Sequence, residues 1–243
     1  MPYRRLPNTD VARIKALKLA YIKGKELPPF KLAFSQVSLQ KVQSFLPGFE
    51  KAILEYKQNY IKQIENNTNY QKEIKKARLY VSHFIQVVNM AVLRGDINES
   101  VKAYYGIEEH DNRVPSLQTE ADLIKWGKSI IEGEQARIMK GQSPITNPTI
   151  AVVKVRYEKF MELHQFQKTL QKNVQRTQEK LHSLRKEADK IILNVWNEIE
   201  DFYDSETDKI KRSKSSIYGV VYVFRKNELK DTNLRSAMSS MSR

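Results

Sequence analysis

The stretch that decides the fold is residues 148–204, PTIAVVKVRYEKFMELHQFQKTLQKNVQRTQEKLHSLRKEADKIILNVWNEIEDFYD. Between Pro148 and Gly219 there is no glycine or proline, the two residue types that most often interrupt a helix. Apolar residues recur in alternating steps of three and four, which places them along one helix face. This stripe comprises Leu163, Phe166, Leu170, Val174, Thr177, Leu181, Leu184, Ala188, Ile191, Val195, Ile199 and Phe202. The pattern predicts a long helical tract with a coiled-coil-like seam.

An unbroken helix over this stretch would be about 85 Å long at a rise of 1.5 Å per residue. The other helices of one compact bundle could not cover such a length. We therefore expect a turn near residues 173–177. A weak internal sequence similarity also favours two helical hairpins as pseudo-repeats over residues 49–107 and 157–220, although chance also explains so few identical positions. In this similarity, Phe49-Glu50-Lys51 matches Tyr157-Glu158-Lys159, and Tyr105-Gly106-Ile107 matches Tyr218-Gly219-Val220.

Upstream of this stretch, breaks in the helical pattern divide the chain into shorter segments. A basic helix can begin near Thr9 and end at Gly24. Pro47 with Gly48 should end or sharply kink the next helix, and the poor helix formers at 66–69 indicate a turn. Thr68 and Thr119 each resemble the cap of a further helix.

Together these segments predict the fold class. We expect an all-α, antiparallel bundle of about five or six helices, built around two long hairpins. Residues 1–226 should form a single domain, and the polar segment 227–243 should be a disordered tail.

The C-terminal segment Ile217–Phe224, IYGVVYVF, is rich in β-branched and aromatic residues. Such a composition favours an extended conformation, and its apolar side chains require cover. It can pack on the bundle or pair with Phe30–Phe34. Alternatively, it is an edge strand that binds a protein partner or a second copy of the chain. The candidate partner-binding residues are Tyr218, Val220, Tyr222 and Phe224.

The net charge of +14 is unevenly distributed. Residues 1–47 contain nine basic and two acidic residues, whereas residues 96–147 contain six basic and nine acidic residues. A basic cluster is the electrostatic requirement for contact with phosphates, although such a cluster is more often a solvated helix face. The candidate nucleic-acid-binding residues are Arg4, Arg5, Arg13, Lys15 and Lys18.

The sequence contains no pattern that predicts a catalytic residue, a metal site, a cofactor or a small-molecule ligand. Without cysteine there is no thiolate nucleophile, disulfide framework or iron–sulfur cluster. Gly127-Lys128-Ser129 resembles the end of a phosphate-binding loop, but the glycine required five residues earlier is replaced by Asp122. No signal peptide or membrane span is evident, so we expect a cytoplasmic protein that does not enter a membrane.

Several stretches of the chain resemble an uncharacterised family of bacterial helical proteins. They are MPYRRLPNTDVARIKALK at 1–18, KELPPFKLAFSQ at 25–36, ARLYVSHFIQVVNM at 77–90, HDNRVPSL at 110–117, IIEGEQAR at 130–137 and YGVVYVFR at 218–225. The resemblance spans nearly the whole chain and implies one shared architecture. It implies no activity, ligand or functional residue.

The leading functional hypothesis is therefore a non-enzymatic helical binding or scaffold protein. It depends on the long helical faces, the apolar C-terminal segment and the lack of catalytic motifs. The alternative is a basic, nucleic-acid-associated protein that uses its N-terminal cluster. An enzyme with an unfamiliar site is the third hypothesis, and it requires a pocket with convergent polar groups.

Overall fold

The computed structural model describes residues 2–110 and 112–224. In these ranges the chain forms six α-helices, three short 3-10 segments and one two-stranded antiparallel sheet. The helices are α1 (Asp10–Glu26), α2 (Gln36–Leu93), α3 (Lys102–Tyr105), α4 (Glu120–Met139), α5 (Ile150–Phe202) and α6 (Asp208–Ile217), and the 3-10 segments are Pro29–Lys31, Glu99–Val101 and Glu108–His110. The strands are β1 (Tyr3–Arg4) and β2 (Tyr222–Val223). The predicted all-α class and number of helices are confirmed.

The chain divides into two compact units. Of the described residues, the terminal unit comprises 2–58 and 175–224, and the central unit comprises those between 59 and 174. Both α2 and α5 contribute residues to each unit. The single domain expected over residues 1–226 stays a prediction, as do the pseudo-repeats, and the tail expected at 227–243 lies outside the described residues.

The helix end expected at Pro47 is wrong, because α2 continues through this residue. A proline inside a helix leaves the carbonyl of the residue four positions earlier, here Gln43, without its helical partner. Gln43 and Pro47 both lie on the exposed side of α2, where water can satisfy that carbonyl. On the opposite side Leu46 and Phe49 are buried in the core of the terminal unit. Each such burial contributes about 1.5–3 kcal/mol, enough to offset the proline.

The turns expected at residues 66–69 and 173–177 are also wrong, because α2 and α5 are continuous there. Within the central unit, Asn66 Nδ2 on α2 donates to Gln167 Oε1 on α5 at 2.8 Å. Tyr70, one turn further along α2, stacks on Phe160 of α5. Residue numbers rise along α2 as they fall along α5, so the two helices run antiparallel. Packing between them outweighs the weak helix propensity of the asparagines.

The C-terminal segment is extended only in its later part: Ile217 ends α6, Tyr218 and Gly219 form a turn, and Tyr222–Val223 form β2. β2 pairs with β1, with Tyr3 opposite Val223 and Arg4 opposite Tyr222. The expected pairing with Phe30–Phe34 is wrong, because residues 29–31 form a 3-10 turn. The apolar residues that follow this turn enter the core of the terminal unit.

The core of the terminal unit is formed by α1, the first part of α2, the last part of α5 and the segment before β2. Trp196 is 1% exposed and is one of the largest side chains in this core. The buried members are Ala16, Leu17, Ala20, Leu32, Ala33, Phe34, Val42, Leu46, Phe49, Ala52, Ile53, Leu181, Ala188, Ile192, Val195, Trp196, Ile199, Tyr218 and Val220.

Two reciprocal ion pairs join α1 to α5 within the terminal unit. Arg13 donates from Nε and Nη2 to the two carboxylate oxygens of Asp189, at 2.8 and 3.0 Å. Arg185 donates in the same way to Asp10, at 2.8 and 2.6 Å. We call these four residues the charge clamp. Paired two-point contacts fix both the position and the rotation of α1, which a single contact cannot do.

The central unit has its own core and a buried ion pair. Glu134 and Arg137 of α4 are both almost completely buried, and Arg137 donates to both carboxylate oxygens of Glu134. Glu134 also accepts from the hydroxyl of Tyr105 and from the backbone N–H of Ile145 at 2.8 Å. Arg137 Nη2 donates to the carbonyl of Ser143 at 2.7 Å. The pair therefore holds the loop after α4 against its own helix.

No helix in the described ranges has a segment apolar enough to cross a lipid bilayer.

Replacing one member of the buried Glu134–Arg137 pair should destabilise the protein more than replacing both. Glu134→Gln leaves the Arg137 guanidinium buried without a counter-charge, and we expect it to lower the free energy of unfolding by about 3–5 kcal/mol. Urea denaturation measures the change. Glu134→Gln combined with Arg137→Met removes both charges and should recover most of the loss. If Glu134→Gln lowers the free energy of unfolding by less than about 1 kcal/mol, Glu134 is not an essential counter-charge of Arg137.

The charge clamp predicts a coupling that depends on pH. The hydrogen bonds from Arg185 lower the pKa of Asp10 and outweigh the opposing effect of its burial. Its contribution to stability is present above the unfolded pKa of about 3.9 and is lost as the pH falls through the lower folded value. In a double-mutant cycle of Asp10→Asn and Arg185→Gln, we expect a coupling energy of about 1 kcal/mol at pH 7. An unchanged coupling at about pH 2 would contradict the ionic assignment.

Candidate binding groove

The two strands form a short ribbon in the terminal unit. Besides the strand pairing, the backbone N–H of Arg5 donates to the carbonyl of Val221 at 2.9 Å. Side chains alternate between the two faces of a strand, so Val221 and Val223 share one face and Tyr222 points to the other. The ribbon thus offers a face lined with valine.

Glu200 of α5 anchors both strands of the ribbon. Arg4 Nη1 donates to Glu200 Oε2 at 2.8 Å, and the hydroxyl of Tyr222 donates to Glu200 Oε1 at 2.6 Å. Burial raises the pKa of Tyr222 to about 12, and the hydrogen bond and charge of Glu200 add to this rise. The tyrosine is therefore a stable donor at neutral pH. One carboxylate consequently fixes β1 and β2 against α5.

A groove of about 410 Å³ lies between the ribbon, α1 and the segment that joins α6 to β2. We call it the terminal groove. Its apolar lining residues are Leu6, Pro7, Ala12, Ala16, Leu19, Trp196, Gly219, Val220, Val221 and Val223, and its polar lining residues are Arg5, Asn8, Lys15 and Ser216. Its volume lies at the lower end of the range typical of ligand sites, about 300–1,000 Å³.

Gly219 allows the chain to approach α1 closely at the base of this groove. Its φ of +93° is a conformation that side chains rarely adopt. A Cβ placed there would lie 3.1 Å from Cδ1 and 3.3 Å from Cβ of Leu19. Glycine therefore sets the distance between α1 and the segment that enters β2.

The charged side chains among the described lining residues of the terminal groove are both basic. Arg5 and Lys15 line the groove, and neither forms an ion pair with any residue that the structure describes. No carboxylate is present among the described lining residues. The groove therefore combines an apolar surface with two positive charges that no described carboxylate neutralises.

The structure divides the predicted nucleic-acid cluster of Arg4, Arg5, Arg13, Lys15 and Lys18 into two groups. Arg4 binds Glu200, Arg13 binds Asp189, and Lys18 pairs with Glu50 at 2.7 Å. These three cations are neutralised within the terminal unit, whereas Arg5 and Lys15 remain at the terminal groove. The five residues therefore do not form one continuous unpaired basic face.

The four residues predicted to bind a partner occupy different environments. Tyr218 and Val220 are buried in the core of the terminal unit. Tyr222 is half-buried and hydrogen-bonded to Glu200, whereas Phe224 is 41% exposed. Val220 also borders the terminal groove.

Sequence reasoning missed most of the groove, including Leu6, Ala12, Leu19 and Val221. A signal was available, because the apolar segment 217–224 requires cover. The sequence did not indicate that residues 3–8 provide it. Pairing between residues so distant along the chain has no local signature.

A second polar cluster lies in the central unit. The hydroxyl of Tyr70 donates to Glu120 Oε1 at 2.6 Å and lies 3.1 Å from Nδ1 of His164. Tyr70 is 2% exposed, and burial raises its pKa well above the usual tyrosine value, as does the adjacent Glu120. The buried hydroxyl of Tyr70 therefore joins three helices, because its own helix is α2 and its two partners lie on α4 and α5.

Within residues 2–110 and 112–224, no group of three or more histidine or carboxylate side chains is arranged to hold a metal ion.

Comparison of the chain with known protein families, characterised proteins and solved structures finds no match. The resemblance to an uncharacterised bacterial family stays a prediction. Any functional assignment therefore depends on the geometry of this chain alone.

The anchoring role of Glu200 predicts a change in the titration of Tyr222. Glu200→Ala removes the acceptor and the nearby negative charge, so the pKa of Tyr222 should fall from about 12 towards 10. NMR of protein labelled with ¹³Cζ-tyrosine can follow the titration, with the signal assigned by Tyr222→Phe. Asp201→Ala is the matched control, because it removes a neighbouring exposed charge and should have little effect. An unchanged pKa in Glu200→Ala would contradict the anchor.

Proposed function

We propose that this chain is a non-enzymatic binding protein that holds a segment of a partner protein in the terminal groove. The observation that carries the proposal is the composition of the groove, in which an apolar surface bears two cations, Arg5 and Lys15, that have no ion-pair partner in the part of the chain that the structure describes. Exposed apolar surface beside uncompensated charge is typical of an interaction site. Leu6 and Val221 are 40% and 49% exposed at this site.

The groove favours a protein partner over nucleic acid. Binding to DNA or RNA depends mainly on many contacts between basic side chains and phosphates. Within the described ranges, two of the five predicted basic residues have no ion-pair partner, and both lie beside aliphatic side chains. Trp196 is the aromatic residue among the described lining residues, and at 1% exposure it offers almost no surface on which an unpaired base could stack.

The groove also lacks the groups of a typical catalytic site. Its described lining includes neither a carboxylate nor a histidine, so a general base is not provided by these side chains. Ser216 lines the groove, but its hydroxyl donates to the carbonyl of Arg212 at 2.7 Å. A binding role therefore accounts for these residues more simply than a catalytic role. A cytoplasmic location forms part of the proposal and is supported by the cysteine-free sequence.

Selection from a library of random peptides tests the proposal. Peptides that bind the full-length protein should fail to bind Ala12→Trp, because the indole fills the groove from α1. Val11→Trp is the matched control, since Val11 is 74% exposed on the same helix and does not line the groove. We expect the control to keep at least about half of the affinity, a difference within about 0.4 kcal/mol.

Two outcomes would overturn the proposal. One is a failure to enrich any peptide, or enrichment of peptides that bind Ala12→Trp as well as the unmodified protein. The other is tight, salt-sensitive binding of unrelated DNA or RNA oligomers between about 50 and 200 mM salt that Arg5→Gln with Lys15→Gln abolishes. The second result would make nucleic acid the ligand. Fluorescence anisotropy measures both the peptide and the oligonucleotide arms.

A further inference from the structure

We infer that the terminal groove recognises an extended peptide segment in which aliphatic side chains are accompanied by carboxylates. This inference rests on the proposed function and adds the chemistry of the ligand. It is carried by three features of the groove: its charge, the shape of its apolar walls and the ribbon beside it.

The charge of the groove selects for acidic groups. Arg4, Arg13 and Lys18 each have a carboxylate partner within the terminal unit, whereas Arg5 and Lys15 have none among the described residues. Because no described lining residue is acidic, the groove repels cationic segments and attracts anionic ones. Such complementarity contributes more to specificity and association rate than to raw affinity. The ligand should therefore carry carboxylates that meet Arg5 and Lys15.

The walls of the groove fit small aliphatic side chains. Ala12 and Ala16 lie one turn apart on α1, so their short side chains leave a channel along the helix. Val221 and Val223 lie two residues apart and form the facing wall on the ribbon. Branched apolar side chains of a ligand can bury against both walls, whereas a strongly charged segment without apolar residues would leave them solvated.

The ribbon favours an extended ligand. Arg5 and Val221 form a hydrogen-bonded pair, and hydrogen-bonded and non-bonded pairs alternate along an antiparallel ribbon. Tyr222, between the two groove-lining valines, therefore directs its backbone N–H and carbonyl away from β1. An extended peptide can pair with these groups by strand addition. Its side chains would then alternate, with every second one directed to the groove.

Two synthetic peptides test the inference. The acidic probe is fluorescein-labelled Gly-Asp-Leu-Val-Leu-Glu-Gly, and the matched neutral probe is Gly-Asn-Leu-Val-Leu-Gln-Gly, which has nearly the same shape. We expect the full-length protein to bind the acidic probe about tenfold more tightly, a difference of about 1.4 kcal/mol. Arg5→Gln combined with Lys15→Gln should remove this preference. Fluorescence anisotropy at about 100 mM salt measures the affinities.

A control variant separates local recognition from the overall positive charge. Lys25→Gln removes an exposed charge from the same helix at a position that does not line the groove. We expect it to retain the preference for the acidic probe. If Lys25→Gln weakens binding as much as Lys15→Gln, the preference comes from net charge and the inference fails.

The remaining outcomes distinguish the inference from the proposed function. Library peptides that bind the groove but lack acidic residues would overturn the inference and leave the proposed function intact. Equal binding of the acidic and neutral probes would likewise overturn the inference and leave the proposed function intact. Dimerisation of the protein that Ala12→Trp abolishes, measured by analytical ultracentrifugation, would identify a second copy of the chain as the occupant and overturn the peptide assignment.

Discussion

The reciprocal pairing of two arginines with two aspartates is the interaction on which the terminal unit depends. Asp10 and Arg13 of α1 meet Arg185 and Asp189 of α5, so each helix supplies one charge of each sign. The exchange leaves no net charge at the contact and fixes α1 in both position and rotation. Ala12 lies between the two clamped residues of α1, and the orientation of the groove wall follows from the clamp.

Ion pairs within the terminal unit also determine which basic side chains remain at the groove. Glu200 binds Arg4 and thereby directs the opposite face of the ribbon towards the groove. Arg5, the next residue, falls on that opposite face because side chains alternate along a strand. Carboxylates of α5 neutralise Arg4 and Arg13, and Glu50 of α2 neutralises Lys18. Arg5 and Lys15 have no ion-pair partner among the described residues and remain at the groove.

The sequence predicted the all-α class and the extended later part of the C-terminal segment, since both depend on local pattern. It failed where tertiary packing opposes local propensity. Pro47 and the asparagines at 66–69 are poor helix formers, yet buried neighbours keep α2 continuous. The basic cluster was predicted without its internal partners, because Asp189 and Glu200 lie far away in sequence. Only the fold shows that these acids separate the cluster into two groups.

The terminal unit is assembled from the two ends of the described chain, whereas the central unit is one uninterrupted stretch. A ribosome completes residues 59–174 well before it releases the second half of the terminal unit. The central unit can therefore fold first during translation, whereas α1 and β1 can pack only after α5 and β2 have been synthesised. The groove needs Val221 and Val223, so it is among the last features of the molecule to form. A nascent chain that stalls before residue 221 lacks both valines and therefore has an incomplete groove.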